Sequence, residues 1–479
     1  MRSRVKLFSI LTFMVSTLGV FAEEAAAPAE KKWYDKVEVS GFVDVYYQYI
    51  TNNKQGGGVD SSRTFETYNK QFAVNSVELD LEKVATADSR WGFRIDFMNG
   101  QNAMFQERPF YTTNQAFNMN LLQQAYVSMY FPIMKGLTID VGKMATHIGY
   151  EVLESKDNLN YTIGYIFFNT VPFIHTGARA SLSMTDKWSL GLYLYNSAQG
   201  TGYTGNNAQF ATLQSSQLTD ISNHVYVDGP NKARAVGTQL KGHIIPDKFD
   251  LVWNTVYGND NVTSRQSNME NFIATNVPAL TPNPGPSSFK TDYWFVNNVI
   301  LAFSPNEKMS ISLDWTHGIR SGQTITNAAG YINDGFSDPI GGTGLNGLGR
   351  DGKYTKKIYN TYGVWFKYII NPKLALGLRY ENIDDSRYGG ALAVNPPGAF
   401  TTPAYRYDLQ YQESNFGRPA TSKGQAKTFT ITPIYNFSEN LVIKLDLRRD
   451  WALGNQFVDE KGRPAHYQNG ATLGLVAKF

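Results

Sequence analysis

From Val37 onward the chain alternates with a period of two. Val37, Val39, Gly41, Val43, Val45, Tyr47 and Tyr49 interleave with Glu38, Ser40, Phe42, Asp44, Tyr46 and Gln48. Successive side chains of an extended chain point to opposite faces, so the pattern predicts a strand between an apolar and a polar environment. The rhythm returns in 91–97, where Arg94 and Asp96 share the polar side, and in 309–316. It is clearest in 441–448, where Lys444, Asp446 and Arg448 fall on one side. Read along the chain, the pattern predicts strands over 37–50, 70–84, 91–99, 121–131, 137–145, 173–184, 188–197, 233–245, 249–258, 291–304, 309–318, 358–370, 374–384, 426–437, 441–451 and 469–479.

The connections sort into two kinds. Short turns rich in Pro, Asp, Asn, Lys and Gly occur at 131–136, 185–187, 246–248, 304–308, 371–373 and 438–440, each between two alternating runs, which is a hairpin signal. Between hairpins lie long polar stretches, including 198–232, 259–290, 319–357 and 385–425. Strict alternation of short turns with long loops is the asymmetry of a transmembrane barrel, with turns in the periplasm and loops outside. The expected fold is therefore all-β: an antiparallel transmembrane barrel of about 16 strands, polar face inward and apolar face to lipid, a size that leaves an aqueous channel.

The N-terminus fits export. Arg2, Arg4 and Lys6 precede an apolar run at 7–21, and small residues follow at Ala22 and Ala25 to Ala27, the layout of a cleaved signal peptide over 1–22. Removing it brings the formal charge from +3 to zero. Residues 23–36 read as a periplasmic polar lead-in and 37–479 as the barrel. No later run is long and apolar enough for a membrane-spanning helix. The absence of Cys excludes a disulfide scaffold, thiolate metal sites and a cysteine nucleophile, and near-neutral charge argues against a nucleic-acid partner. Aromatics are abundant at 14% and favour strand ends (Trp33, Tyr34, Tyr47, Tyr49, Trp91, Trp188, Trp315, Trp451), where girdles at the lipid interface want them.

Several stretches resemble the putative β-barrel porin-2 family, the OmpL-like porins. They are GFVDVYYQY at 41–49, NSVELDLEK at 75–83, GFRIDF at 92–97, LQQAYVS at 122–128 and GLTIDVGK at 136–143. The most distinctive are THIGYEVLESKDNLNY at 146–161 and PFIHTGAR at 172–179. The resemblance is densest over 41–195 and continues mainly as strand rhythm to Phe479. It implies a barrel in the outer membrane of a Gram-negative bacterium. The last strand, with bulky apolar residues at alternate positions and a terminal Phe479, resembles the C-terminal signature that the outer-membrane insertion machinery recognises. A homotrimer is the usual assembly for barrels of this size and is expected by analogy.

Projecting the alternation inward places Asp44, Glu78, Asp80, Asp96, Asp140, Asp314, Glu381 and Asp446 on the wall of the lumen, with Glu38 and Asp250. Arg94, Arg179, Lys367, Arg379, Lys444 and Arg448 join them. Acids gather on the first strands and bases on the last. Two readings follow: opposed charges across a constriction that set ion selectivity, or lateral pairs such as Arg94/Asp96 and Arg379/Glu381 that keep the wall hydrated. The connection 146–172, the third external one, carries Glu151, Glu154, Lys156 and Asp157. It either folds inward as a constricting loop or packs outside on its neighbours. Tyr46, Tyr126, Tyr130, Tyr193 and Tyr195 project inward and raise the idea of a sugar-stacking track.

Catalytic signals are weak. Residues 342–347 fit G-x-G-x-x-G but sit in a glycine-rich loop with neither strand before nor helix after. His147 and Glu151 are spaced i, i+4 without a second His nearby, and Asp334, Asp338 and Asp351 lack the spacing of a calcium loop. No cofactor is implied and no enzyme activity is expected. The leading reading is an outer-membrane porin, a passive diffusion channel for small hydrophilic solutes and ions in contact with outer-membrane lipid. The alternative is a surface protein whose long loops bind external partners over a plugged lumen. An outer-membrane hydrolase comes third, because six scattered His residues form no triad.

Overall fold

A computed structural model describes residues 32–51, 63, 65–66, 68–105, 122–196, 198, 234–258, 293–326, 332–333, 349–387, 424–452, 457–459, 461 and 464–479. Sixteen strands form a closed antiparallel barrel. They are β1 (Glu38–Ile50), β2 (Phe72–Lys83), β3 (Trp91–Asn99), β4 (Leu122–Phe131), β5 (Leu137–Ala145), β6 (Ile174–Ser183), β7 (Trp188–Tyr195) and β8 (Ala235–Ile245). The second half comprises β9 (Phe249–Gly258), β10 (Tyr293–Asn306), β11 (Met309–Thr326), β12 (Gly349–Asn371), β13 (Leu374–Arg387), β14 (Gly424–Asn436), β15 (Leu441–Ala452) and β16 (Tyr467–Lys478). Each strand pairs with its sequence neighbour, and β16 returns to β1 from Phe42 opposite Lys478 to Ile50 opposite Gly470, so no edge remains. Closure satisfies every ladder, which a spanning sheet needs where lipid offers no hydrogen bonds.

The alternation becomes two surfaces. On β1, Phe42, Asp44, Tyr46, Gln48 and Ile50 are buried inside, whereas Val39, Val43, Tyr47 and Tyr49 are exposed outside. The exposed face continues around the barrel through Val77, Leu79, Val127, Val141, Leu192, Leu194, Val236, Leu313 and Leu473. An apolar belt of this extent is unfavourable in water and is what a lipid-facing wall requires. Trp33, Tyr34, Tyr47, Tyr49, Trp91 and Trp315 also lie exposed, and Trp33 packs on Trp91 with ring centroids 5.8 Å apart.

Strand positions follow the sequence pattern with one large difference. β11 and β12 extend to Thr326 and back to Gly349, beyond the expected 318 and 358. The added residues are polar, so hydrophobic alternation does not report them; backbone pairing alone carries the hairpin past the apolar belt. Inside the barrel lies a packed core built on the 146–173 connection. Ile148, Tyr165, Ile166 and Val171 join one buried cluster with Tyr193, Tyr195, Trp294, Tyr359 and Trp365. Leu153, Tyr161, Ile163 and Phe167 join another with Phe42, Tyr46, Phe65 and Val476.

Candidate functional site

The segment 146–173 joins β5 to β6 and runs through the barrel interior rather than over its rim. Apolar side chains take it inside, and wall carboxylates hold its backbone. Asp446 accepts the Tyr161 N–H at 3.1 Å, the Thr162 N–H at 2.8 Å and the Thr162 hydroxyl at 2.7 Å. Glu381 accepts the N–H groups of Tyr165 and Ile166, both at 3.1 Å, at the start of the short helix α1 (Tyr165–Thr170). Asp314 accepts the Tyr150 N–H at 2.9 Å, and Asn298 accepts that of Gly149 at 3.2 Å. Asp44 accepts the Tyr161 hydroxyl at 2.5 Å and the Ser155 hydroxyl at 2.6 Å. A buried N–H left without an acceptor is costly, so each of these bonds fixes the path of the segment.

Charges of the segment find opposite charges on the wall. Arg379 on β13 donates to Glu151 at 2.7 Å and to the Thr162 carbonyl at 2.5 Å; its separation from Glu381 is longer, 3.7 Å. Glu151 also accepts the Gly164 N–H at 2.7 Å, which closes the segment on itself. Lys444 donates to the carbonyls of Ser155 and Asn158 at 2.7 and 2.5 Å, and Arg448 to that of Ile163 at 2.8 Å. Lys156 pairs with Glu78 at 3.2 Å, and Glu154 accepts a short hydrogen bond from Gln123.

Two glycines are required by this fit. Gly149 has φ +93°, a conformation costly for other residues. Gly474 on β16 lies under the Tyr161 ring, where a Cβ would come within 2.0 Å of the ring. The base of the segment is fixed by rings. His147 stacks on Tyr193 with centroids 3.9 Å apart and bonds the Tyr195 hydroxyl and the Thr255 carbonyl, both at 3.0 Å. Burial lowers the His147 pKa to about 4, partly offset by the Thr255 carbonyl, so the ring is neutral near pH 7. At the external end Arg63, Phe65 and Glu66, between β1 and β2, are buried inside the barrel. Glu66 accepts from Asn102 at 2.9 Å and from the Ile163 N–H at 3.2 Å, and burial raises its pKa to about 7 against those bonds.

Of the sixteen wall residues named from the sequence, Glu38 is exposed at the start of β1 and Asp250 pairs with His243 at 2.6 Å, while the other fourteen face inward and differ in what they touch. Asp44, Asp314, Arg379, Glu381, Lys444, Asp446 and Arg448 are buried against the segment. Glu78 is buried with Lys156, and Asp80 accepts from Ser40 at 3.3 Å. Arg94 with Asp96 (2.8 Å) and Arg179 with Asp140 (2.6 Å) form lateral pairs on the opposite wall, and Lys367 stays half-buried. The expected lateral pair Arg379/Glu381 is present at 3.7 Å, and the segment brings a second carboxylate, Glu151, closer at 2.7 Å. The inward tyrosines form no continuous track: Tyr46 and Tyr195 are buried, whereas Tyr126 and Tyr130 keep partial exposure. His147 and Glu151 serve different walls and share no site. Residues 342–347, Asp334 and Asp338 lie outside the described residues.

Sequence reasoning missed Gln123, Asn298, Thr162, Tyr165, Glu66 and Lys241. Gln123 is legible only from register: β3 and β4 slip between Asp96 and Phe97, which turns Gln123 inward beside Gln124. Asn298 and Lys241 lie on expected strands and share the inward parity of their neighbours; the partners of Thr162, Tyr165 and Glu66 depend on where distant parts of the chain cross, for which local pattern carries no signal.

A family described as putative beta-barrel porin-2, OmpL-like, matches residues 36–479. No curated protein matches the chain. Among solved structures, Salmonella typhi OmpF in complex with daunomycin is similar at 11% identity and TM-score 0.50, covering 92% of this chain and 97% of OmpF. The outer membrane channel DcaP of Acinetobacter baumannii is similar at 10% identity and TM-score 0.49, covering 92% and 97%. The trimer form of Vibrio cholerae OmpT is similar at 8% identity and TM-score 0.47, covering 92% and 99%. At such identities the likeness to OmpF concerns the fold alone.

Proposed function

We propose that this chain, which belongs to the putative beta-barrel porin-2, OmpL-like family and is an outer-membrane channel of Gram-negative type, passes small hydrophilic solutes and ions by passive diffusion. The observation that supports this reading is the lopsided packing of the interior. Inward side chains of β10 to β16, such as Asn298, Thr316, Arg379, Thr430, Asp446 and Asp450, are buried under the inserted segment. Across the barrel, Glu82, Arg94 and Arg179 keep 35, 27 and 26% of their side-chain surface, and Tyr126, Tyr130 and Lys241 are also partly exposed. In this reading the segment constricts the lumen from one side, with Glu154, Lys156 and Asp157 toward a passage along β2 to β8. Arg94 and Arg179 line it, held by the buried carboxylates of Asp96 and Asp140.

A signal peptide over 1–22 would be removed on export, the strand ending at Phe479 would engage the insertion machinery, and a homotrimer would be the assembled form. The test is single-channel recording of the refolded protein in a planar bilayer. Discrete ohmic steps are expected. A correctly folded barrel that stays silent would overturn the diffusion reading and favour the plugged alternative, in which the external loops carry the function.

A further inference from the structure

We propose that the passage contains a binding subsite for small oxyanions, carboxylates or phosphates, centred on Arg179 and Lys241. This rests on the channel reading above and names the class of solute that it handles. Three observations carry the proposal: the hydrogen bonding of one guanidinium, the burial of its carboxylate, and a second cation on the same wall.

Arg179 stands on β6 in a row that runs straight across the wall. Ser128 on β4 lies opposite Asp140 on β5, Asp140 opposite Arg179, Arg179 opposite Tyr193 on β7, and Tyr193 opposite Gly237 on β8. Asp140 is only 4% exposed and receives the Ser128 hydroxyl at 2.5 Å and the Arg179 Nε at 2.6 Å. The carboxylate is thus held in the wall, and the longer guanidinium extends past it with 26% of its side chain exposed. Nε being engaged, the two terminal nitrogens have no hydrogen-bond partner among the described residues. They form a planar fork, the geometry that takes two oxygens of one carboxylate or phosphate.

The surroundings keep the fork in place and add charge. Its carbon lies 5.0 Å from the centroid of the Tyr126 ring, which supports the guanidinium on one face. Tyr193 cannot swing over it, because its hydroxyl donates to Gln239 at 3.1 Å and its ring is stacked on His147. Lys241 lies on β8 four residues beyond Gly237, faces the same wall and is partly exposed, so its charge and that of Arg179 act on each other. An anion between two cations of one inner wall relieves their repulsion. The wall acids that would cancel this field are otherwise occupied. Asp44, Asp314, Glu381 and Asp446 are buried as acceptors for the inserted segment on the far side. Glu82, an exposed acid of this wall, pairs with Arg94 at 3.4 Å, and Asp157, exposed on the segment, pairs with Lys156 at 3.4 Å. In the channel reading this makes a cationic spot on a low-dielectric wall, where fields are focused.

The experiment uses the full refolded chain, with heat-modifiable gel migration as the check that each variant is folded. Reversal potentials in a potassium chloride gradient should show chloride preferred over potassium. Arg179→Gln with Lys241→Gln should lower that permeability ratio by at least about twofold while discrete steps persist. Inorganic phosphate and succinate, added separately, should each reduce the chloride current of the wild type and lose that effect in the double variant. Block by only one of them identifies the oxyanion that the fork prefers. A cation-preferring wild type, or a ratio and block unchanged by the double variant, overturns the subsite. Calorimetric titration of phosphate into the detergent-solubilised barrel reads the same site without conduction. Heat present in the wild type and absent in Arg179→Gln supports it even if the channel is silent, and no heat in the wild type overturns it.

Discussion

Asp446→Ala should release the inserted segment. The carboxylate is fully buried and accepts two main-chain N–H groups, of Tyr161 and Thr162, together with the hydroxyls of Thr162 and Thr432. The hydroxyls can turn to other acceptors, but the N–H groups cannot. A hydrogen bond to a charged acceptor contributes about 1.5–3 kcal/mol, so the two main-chain bonds hold the segment by about 3–6 kcal/mol. At about 1.4 kcal/mol per factor of ten, the released population should rise by roughly 10²- to 10⁴-fold. Trypsin reads the change directly, because Lys156 is the one basic residue between Lys143 and Arg179. Cleavage after Lys156 in the membrane-inserted protein should accelerate strongly, and single-channel conductance should increase. Asp446→Asn keeps one acceptor oxygen and should fall between. A folded Asp446→Ala barrel with wild-type cleavage and conductance would refute the idea that wall carboxylates hold the segment.

Three further outcomes follow from the same contacts. Gly164→Ala would set a Cβ 2.2 Å from a Glu381 oxygen; the carboxylate must move off the Tyr165 and Ile166 N–H groups, at a cost of about 1–3 kcal/mol, and an unaltered trypsin rate would contradict this. His147 titrates near 4 when folded and near ~6.5 when unfolded, so the unfolded chain binds more protons between those values. Stability should therefore fall as pH drops from about 6.5 to 4, and His147→Phe should flatten that limb of a urea-midpoint profile, equal slopes in both proteins counting against it. Removing Phe479 deletes a reciprocal pair of 3.1 Å backbone bonds to Gly41 and the proposed insertion signal. The amount of heat-modifiable protein in the outer membrane should drop, and normal assembly would argue that the terminal residue is dispensable.

The barrel was legible because a closed sheet between lipid and water writes a period of two into every strand, and each short turn breaks it visibly. The same logic fails at the outer ends of β11 and β12, where polar residues fill both parities of the sequence. Wall residues such as Asp314 and Asp446 could be placed on the inner face from parity alone. Their partners could not: Thr162 meets Asp446 across 284 positions of chain, and Tyr150 meets Asp314 across 164. Such pairings depend on where a buried connection crosses the barrel, which is settled by packing of Tyr161 over Gly474 and of Tyr150 against Trp365 rather than by local pattern.

Because Asp314, Glu381 and Asp446 grip peptide groups rather than side chains, the wall is largely indifferent to which residues the segment displays at its free face. Positions such as Asp157, exposed and outside the anchoring bonds of those carboxylates, can change in charge or size while the path of the segment stays the same. Scaffold and filter are thereby decoupled. Permeation can then be retuned by substitution at the exposed positions of the segment while the buried anchors keep their path.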